Sequence, residues 1–275
     1  MRSIDANGAQ IPCLGVGTWT LSGPACTELV AHALSLGYRH VDTAVLYRNE
    51  AEVGAGIAAS GLPRDDLFVT TKVWHTDLQR DAFRRSTEAS LARLGLDRVD
   101  LLLIHWPNPA VPLAETIEAL NAAREAGLTR HIGVSNFPTG LLAEARALSP
   151  APLVANQVEH HPMLDQSRVL AACRAAGMAM ISYCPLFRGS LFEEPAIANA
   201  ARAHGKTPGQ IVLRWHVQQP GVAAIPRTSR KERLAENLAI FDFTLDAAEM
   251  DAISALQSAN RRLCDFAFSP QWDIP

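Results

Sequence analysis

Apolar residues recur along this chain in two rhythms that take turns. Short runs rich in branched and aliphatic residues predict strands at 14–17, 40–42, 67–71, 99–104, 131–134, 154–158, 179–183 and 222–225. After each comes an alanine-rich stretch with apolar positions three and four residues apart. This spacing predicts helices near 24–36, 49–60, 79–94, 113–126, 139–147, 165–176, 194–204 and 230–238. Two more helical stretches, 207–218 before the last strand and 246–257 after the last of these helices, read as additions to the repeating unit. Ahead of the first strand, Arg2 to Asp5 and Gln10 to Cys13 flank Asn7-Gly8, a pair suited to the positive φ of a two-residue hairpin turn.

Eight strands alternating with helices imply a parallel sheet. A length of 275 residues and the count of eight favour a closed (β/α)8 TIM barrel over an open doubly wound sheet. No linker rich in Pro, Gly or Ser divides the chain, so residues 1–275 are expected to form one domain with an N-terminal hairpin and two extra helices. The final stretch, 258–275, has little periodicity but carries Phe266, Phe268 and Trp272. It is too aromatic for a disordered tail and is expected either to fold over a site or to strap the barrel wall.

Composition narrows the setting. Hydrophobic residues make up 48% and charged residues 19%, enough apolar material for a full core. A net charge of −3 without a basic stripe argues against nucleic acid. The first ten residues lack the apolar centre of a secretory signal, and the most apolar run, 99–106, is too short to span a bilayer. The cysteines at 13, 26, 173, 184 and 264 form no C-x-x-C pair, which points to reduced thiols and a cytoplasmic protein. Lysine occurs only at 72, 206 and 231, so a lysine at a strand end stands out in a chain that otherwise uses arginine.

Three motifs fail their own mechanisms. Gly54-Ala55-Gly56-Ile57-Ala58-Ala59 fits a dinucleotide fingerprint, but it lies inside a helical run with no strand directly before it, and close helix packing explains the glycines. Gly15-Val16-Gly17 follows the hairpin, yet Thr20 breaks the pattern. A nicotinamide cofactor would have to bind without that loop. Glu159-His160-His161 suggests a metal, but adjacent histidines on a strand face opposite ways. No metal site is expected, and His161-Pro162 is read as shaping a loop.

Barrel chemistry gathers at the C-terminal ends of strands. Asp42 ends the second strand, Tyr47 follows in its loop, Lys72 ends the third strand and His105 the fourth. Each has a plainer reading: a cap, a loop aromatic, a solvated charge, a core histidine. Together at one rim they make a coherent acid. A free phenol ionises near pH ~10 and donates poorly at neutral pH. A neighbouring ammonium favours the phenolate and is expected to lower that value. Asp42 would hold Lys72 in place, and His105 would orient a carbonyl toward the phenol.

These residues resemble the aldo-keto reductase family through nearly the whole chain. The resemblance is carried by Gly17-Thr18-Trp19, Asp42-Thr43-Ala44 with Tyr47, Thr71-Lys72-Val73-Trp74, Leu103-Ile104-His105-Trp106-Pro107 and Gly133-Val134-Ser135-Asn136-Phe137. It continues in Asn156-Gln157-Val158-Glu159, Ser182-Tyr183-Cys184-Pro185-Leu186 and Ile225-Pro226-Arg227-Thr228. Within the family the sequence is most similar to the bacterial 2,5-diketo-D-gluconate reductase B branch, including the short tail with Ser269-Pro270-Gln271-Trp272-Asp273. The resemblance implies a catalytic set of Asp42, Tyr47, Lys72 and His105, with Tyr47 as the acid. It implies NADPH extended across the barrel mouth, touching Gly17, Thr18, Trp19, Asp42, Pro185, Leu186 and Ile225. Ser135, Asn136 and Gln157 would hold the nicotinamide carboxamide, and Tyr183 would stack on its ring. Arg227, Thr228, Ser229, Arg233, Glu236 and Asn237 match the family's adenosine-phosphate site. The family's usual Lys-Ser is here Arg227-Thr228, which keeps the charge and favours NADPH over NADH. Trp19, Trp74 and Trp106, with Tyr47 and His105, would line the substrate opening, although Trp106 could instead be a core residue.

The expected activity is therefore NADPH-dependent reduction of a small aldehyde or ketone, of the methylglyoxal or diketogluconate kind. The loops near 74–78, 106–112 and 187–192 and the tail would shape the pocket, and the family default is a monomer. Two other readings compete. One is an NADP(H)-binding sensor or regulatory protein on the same fold. The other, a Schiff-base lyase using Lys72, fits a neutral lysine better than one beside Asp42.

Overall fold

The computed structural model describes residues 2–273. It opens with an antiparallel hairpin, β1 (Ser3–Ala6) and β2 (Ala9–Pro12), turned by Asn7 and Gly8 at φ +48° and +88°. Both values suit the primed turn that Asn-Gly favours. Ala6, Ala9 and Ile11 of the hairpin pack with Leu101, Leu103, Val154 and Ala223 in one cluster, so the hairpin plugs one end of the barrel. Asn7 Nδ2 fastens it by donating to the carbonyls of Leu153 and Ala176, at 2.8 and 3.0 Å.

The repeating unit follows: β3 (Val16–Gly17), α1 (Gly23–Leu36), β4 (His40–Asp42), α2 (Glu50–Ala59), β5 (Phe68–Val73), α3 (Arg80–Leu94), β6 (Val99–Ile104) and α4 (Leu113–Glu125). It continues with β7 (Thr129–Ser135), α5 (Thr139–Leu148), β8 (Leu153–Glu159), α6 (Ser167–Ala175), β9 (Ala179–Tyr183), α7 (Pro195–His204), α8 (Pro208–Gln218), β10 (Val222–Ala224), α9 (Lys231–Leu238) and α10 (Ala247–Ser254). Strands β3 to β10 pair in parallel in sequence order. The Gly15 N–H donates to the Ala224 carbonyl and the Ala224 N–H to the Cys13 carbonyl, both at 2.9 Å, closing the sheet on itself as a (β/α)8 barrel.

Period-two alternation decides what faces the axis. On β6, Leu101 and Leu103 join the interior cluster while Leu102 and Ile104 pack outward under the helices. Gly133 on β7 shows how tight the interior is, since a Cβ there would sit 2.6 Å from the Ala155 carbonyl. The glycines of the rejected fingerprint lie inside α2, where a Cβ on Gly54 would collide with the backbone of Leu94 and one on Gly56 with the Thr27 carbonyl, at 2.7 Å.

The two helices between β9 and β10 exchange the roles expected of them. The 207–218 stretch was expected to be the addition. Instead α8 packs on β10 and α9, with Gly209 to Val217 buried, while α7 lies outside it against α8 and α10. A helix flanked on two sides needs apolar positions nearly all round, and Ile211-Val212-Leu213 supplies them. The other addition, α10, stops at Ser254 and gives way to a 3-10 turn over 255–259.

Candidate active site

The alternation that puts Leu101 and Leu103 inside carries His105 to the mouth of the barrel. Phe68, Thr70 and Lys72 stand in the same phase on β5, as do His40 and Asp42 on β4 and Ala155, Gln157 and Glu159 on β8. Lys72 lies within β5 rather than just past a strand ending at residue 71, because the ladder to β6 continues through Val73 and Ile104.

Lys72 is fully buried, and its three ammonium hydrogens have three acceptors. They are Asp42 Oδ1 at 2.6 Å, the Thr43 carbonyl at 2.8 Å and the Tyr47 hydroxyl at 3.3 Å. Burial pulls the Lys72 amine below its usual range, and Asp42 opposes that pull. Because Tyr47 oxygen accepts from Lys72, the phenol O–H remains available for a bound molecule. The other Asp42 oxygen accepts from Gln157 Nε2 at 2.7 Å, so strands β4, β5 and β8 are tied at one carboxylate.

The expectation that Lys72 makes the resting phenol more acidic is overturned. Burial, followed by the Asp42 charge, pushes Tyr47 well above the ordinary phenol value. Protein atoms replace part of the water around the half-buried phenol, and that disfavours its charged form. Tyr47 therefore stays protonated, and the ammonium acts on the phenolate that a proton transfer would leave behind. His105 lies edge-on to Tyr47, ring centroids 5.7 Å apart. Burial, and then Lys72, holds its imidazole well below its usual pKa, so it is neutral. Its buried Nδ1 has no hydrogen-bond partner among the described residues.

Asp42, Tyr47 and His105 floor a cavity of about 600 Å³. Trp19, Leu46, Trp74 and Trp106 wall it, and Gly17, Thr18, Asn136, Tyr183, Pro185, Leu186, Ile225 and Arg227 edge it. Trp106 is 4% exposed, yet it forms part of the wall, so it is both packed and pocket-facing. Asn136, in the left-handed region at φ +64°, donates to the His105 carbonyl at 2.9 Å and accepts from the Tyr183 hydroxyl at 2.7 Å. Ser135 and Gln157 are not on the cavity wall. They are buried beneath it, with Ser135 Oγ donating to the Gln157 carbonyl at 2.8 Å.

Of the adenosine-phosphate candidates, Arg227 is at the cavity edge, while Thr228, Ser229, Arg233, Glu236 and Asn237 are not among its lining residues. Arg227 reaches back to the Trp19 carbonyl at 3.0 Å and Thr20 Oγ1 at 2.5 Å. Arg233 pairs with Glu236, which also accepts from Thr207 Oγ1 at 2.7 Å. Thr228 Oγ1 accepts from the Arg230 N–H, Ser229 is exposed and Asn237 is buried. The two arginines thus face different partners in this structure.

The tail folds over the site. Cys264, Phe266 and Phe268 line the cavity, and Phe268 meets Trp74 and Trp106 edge-on at 5.6 and 5.4 Å. Glu159, weighed in the sequence only as a metal ligand, anchors this segment. Its carboxylate accepts from the N–H groups of Leu263 and Cys264 at 2.6 and 2.7 Å and meets His161 Nε2 at 2.8 Å. Burial pushes its pKa up, but those three hydrogen bonds outweigh burial and hold it below the usual carboxylate range. Its position in the same phase as Gln157 was the signal available in the sequence. At the far end, Asp273 accepts from the Thr139 N–H at 2.9 Å and from its hydroxyl at 2.6 Å.

Comparison with known proteins places the chain in a family. Residues 13–258 match the model of the aldo/keto reductase family. Methylglyoxal reductase DkgB of Salmonella typhi is 42% identical over 266 residues, covering 96% of this chain and 99% of that one. A crystal structure provisionally named 2,5-diketo-D-gluconic acid reductase B is 48% identical with a TM-score of 0.97, over 100% of this chain and 98% of that one. An aldo-keto reductase of Bombyx mori, solved in complex with NADP, is 35% identical with a TM-score of 0.90, over 96% of this chain and 95% of that one. The chain belongs to the aldo/keto reductase family and is an oxidoreductase.

Proposed function

We propose that this protein reduces small aldehydes and ketones with NADPH, taking the proton from Tyr47. The observation that carries the reading is the geometry at Lys72. Its ammonium is held by Asp42 and Thr43 and donates to Tyr47 oxygen at 3.3 Å, leaving the phenol proton free at the cavity floor.

The surroundings fit a nicotinamide. Tyr183 presents an aromatic face at the cavity edge, braced by its hydrogen bond to Asn136. Asn136 and the buried Ser135–Gln157 pair beneath it supply amide and hydroxyl groups for a carboxamide, and Arg227 stands at the rim for a phosphate. When bound there, NADPH supplies the hydride.

This chain's own residues do the rest. Neutral His105 is a donor for the carbonyl oxygen and sets its direction. Tyr47 gives its proton to the oxygen as negative charge develops, and Lys72 stabilises the phenolate. Asp42 and Gln157 keep Lys72 from moving. The aromatic wall and the tail exclude water. The names of the relatives and the mostly apolar cavity favour small dicarbonyl compounds such as methylglyoxal as substrates. A nucleophilic role for Lys72 is disfavoured, since its nitrogen is fully buried and engaged by three acceptors.

The test follows nicotinamide absorbance with NADPH and methylglyoxal. Tyr47→Phe is expected to bind NADPH as the parent does and to lose a factor of about 10²–10⁴ in turnover. Normal turnover by this variant, or none by the parent on any small carbonyl, would refute the reading.

A further inference from the structure

Two of the five thiols meet where the tail crosses the cavity. Cys184 leaves β9 directly after Tyr183, with φ at +50°. Cys264 sits on the tail, its N–H fixed on Glu159 Oε2 at 2.7 Å. Far apart in sequence, both line the same cavity and both are partly exposed, and Glu159, which holds the Cys264 N–H, is paired across the ladder with Tyr183, the residue before Cys184. Cys13, Cys26 and Cys173 are buried and unpaired. Cys264, opposed by burial, holds the Cys184 thiol below its usual range, while Cys184 and burial push Cys264 up. Two thiols bordering one cavity allow one sulfur to react first and the other to resolve it.

We propose that Cys184 and Cys264 form an oxidisable dithiol which, on reaction with a hydroperoxide, fastens the tail across the cavity mouth. Cys184 thiolate attacks one oxygen of hydrogen peroxide and the O–O bond breaks. The departing hydroxide takes the proton Cys184 released and becomes water, leaving a sulfenic acid on Cys184. Cys264 sulfur then attacks Cys184 sulfur, the S–O bond breaks, and a second water leaves with the Cys264 proton. In balance, two thiols lose two hydrogens and one peroxide is reduced to two waters. Phe266 and Phe268 follow Cys264 closely, so a covalent tie at Cys264 restrains the segment that walls the substrate opening. The consequence for turnover rests on the cavity being the active site proposed above.

The test separates the bond from its consequence. Full-length protein without cofactor or carbonyl is treated with hydrogen peroxide and digested with trypsin without reduction. Mass spectrometry is expected to find the Cys184 and Cys264 peptides linked, with the link lost on dithiothreitol treatment and never formed in Cys184→Ser or Cys264→Ser. Cys13, Cys26 and Cys173 are expected to remain thiols. In a second arm, oxidised parent protein is expected to lose most of its NADPH-dependent turnover and recover it with dithiothreitol, while neither serine variant shows a reversible loss. Oxidation of Cys184 without linkage to Cys264, or no oxidation at either, overturns the dithiol. A link that leaves turnover unchanged overturns its control of the mouth. Reduced protein without turnover on any carbonyl would sink the reductase reading alone, because the peptide map needs no turnover.

Discussion

Lys72→Met removes the ammonium beside Tyr47 while keeping an unbranched side chain of similar length. The distance that matters is 3.3 Å, from Nζ to the phenol oxygen. Two unit charges at that separation interact by about 5 kcal/mol at an effective dielectric of ~20. If about half the phenolate charge has developed at the transition state, the ammonium contributes about 2.5 kcal/mol, or roughly 10²-fold in rate. The substitution also strips Asp42 of its ion-pair partner at 2.6 Å. Leaving one member of such a pair buried destabilises a fold by about 3–5 kcal/mol, so a lower melting temperature is expected alongside the lower kcat. A double variant, Asp42→Asn with Lys72→Met, separates the effects. It is expected to recover much of the stability and none of the rate. The assay is kcat for methylglyoxal at saturating NADPH, with NADPH affinity measured by fluorescence to show that binding is intact. A single variant whose kcat stays within about threefold of the parent would refute the argument that this ammonium stabilises the phenolate.

Glu159→Gln turns one acceptor facing the tail N–H groups into a donor and is expected to release the tail, at a cost of about 1–3 kcal/mol. KM for the carbonyl should rise more than kcat falls, and trypsin should cut sooner at Arg261 and Arg262. Unchanged KM and unchanged cleavage would mean the tail is held elsewhere. Arg227→Ala should remove a charge-assisted phosphate contact and lower kcat/KM with NADPH by roughly 10- to 100-fold, with little change for NADH, and equal losses with both would place the phosphate elsewhere. Burial holds His216 down to about 3, with Nε2 on the Pro185 carbonyl at 3.1 Å, and lowers His40, His105 and His160 as well. These rings are neutral when folded and protonate freely when unfolded. Stability is therefore full above pH ~6.5 and falls as pH drops toward the folded value, by about 1.4 kcal/mol per unit for each ring. Urea titrations of parent and His216→Gln between pH 7 and 5 should show a shallower decline in the variant, and identical slopes would count against the assignment.

What the sequence made legible was whatever follows from alternation. Strand phase alone carries Asp42, Lys72, His105 and Gln157 inward, and each of these stood in the strand-end motifs. Burial was not legible in the same way. The sequence places an ammonium near a phenol, but desolvation comes from elements far apart in the chain, and it reversed the expected direction of the Tyr47 shift. The exchange between α7 and α8 has a similar origin, since both are short amphipathic helices and only their neighbours decide which one touches the sheet.

The tail shows most clearly how a segment without periodicity can still be specified. Pro138 precedes α5 and offers no side-chain cap, so the Thr139 N–H needs an acceptor from elsewhere. Asp273 supplies it, as Glu159 supplies acceptors for Leu263 and Cys264. Both anchor points flank Asn136 and Gln157, the residues proposed to hold the nicotinamide amide. A shift of β8 or of the start of α5 would therefore be felt at once by the cavity floor and by the aromatic segment above it. Coupling of this kind needs no hinge within the tail. It follows from fastening the cover to the same strand and helix start that border the floor.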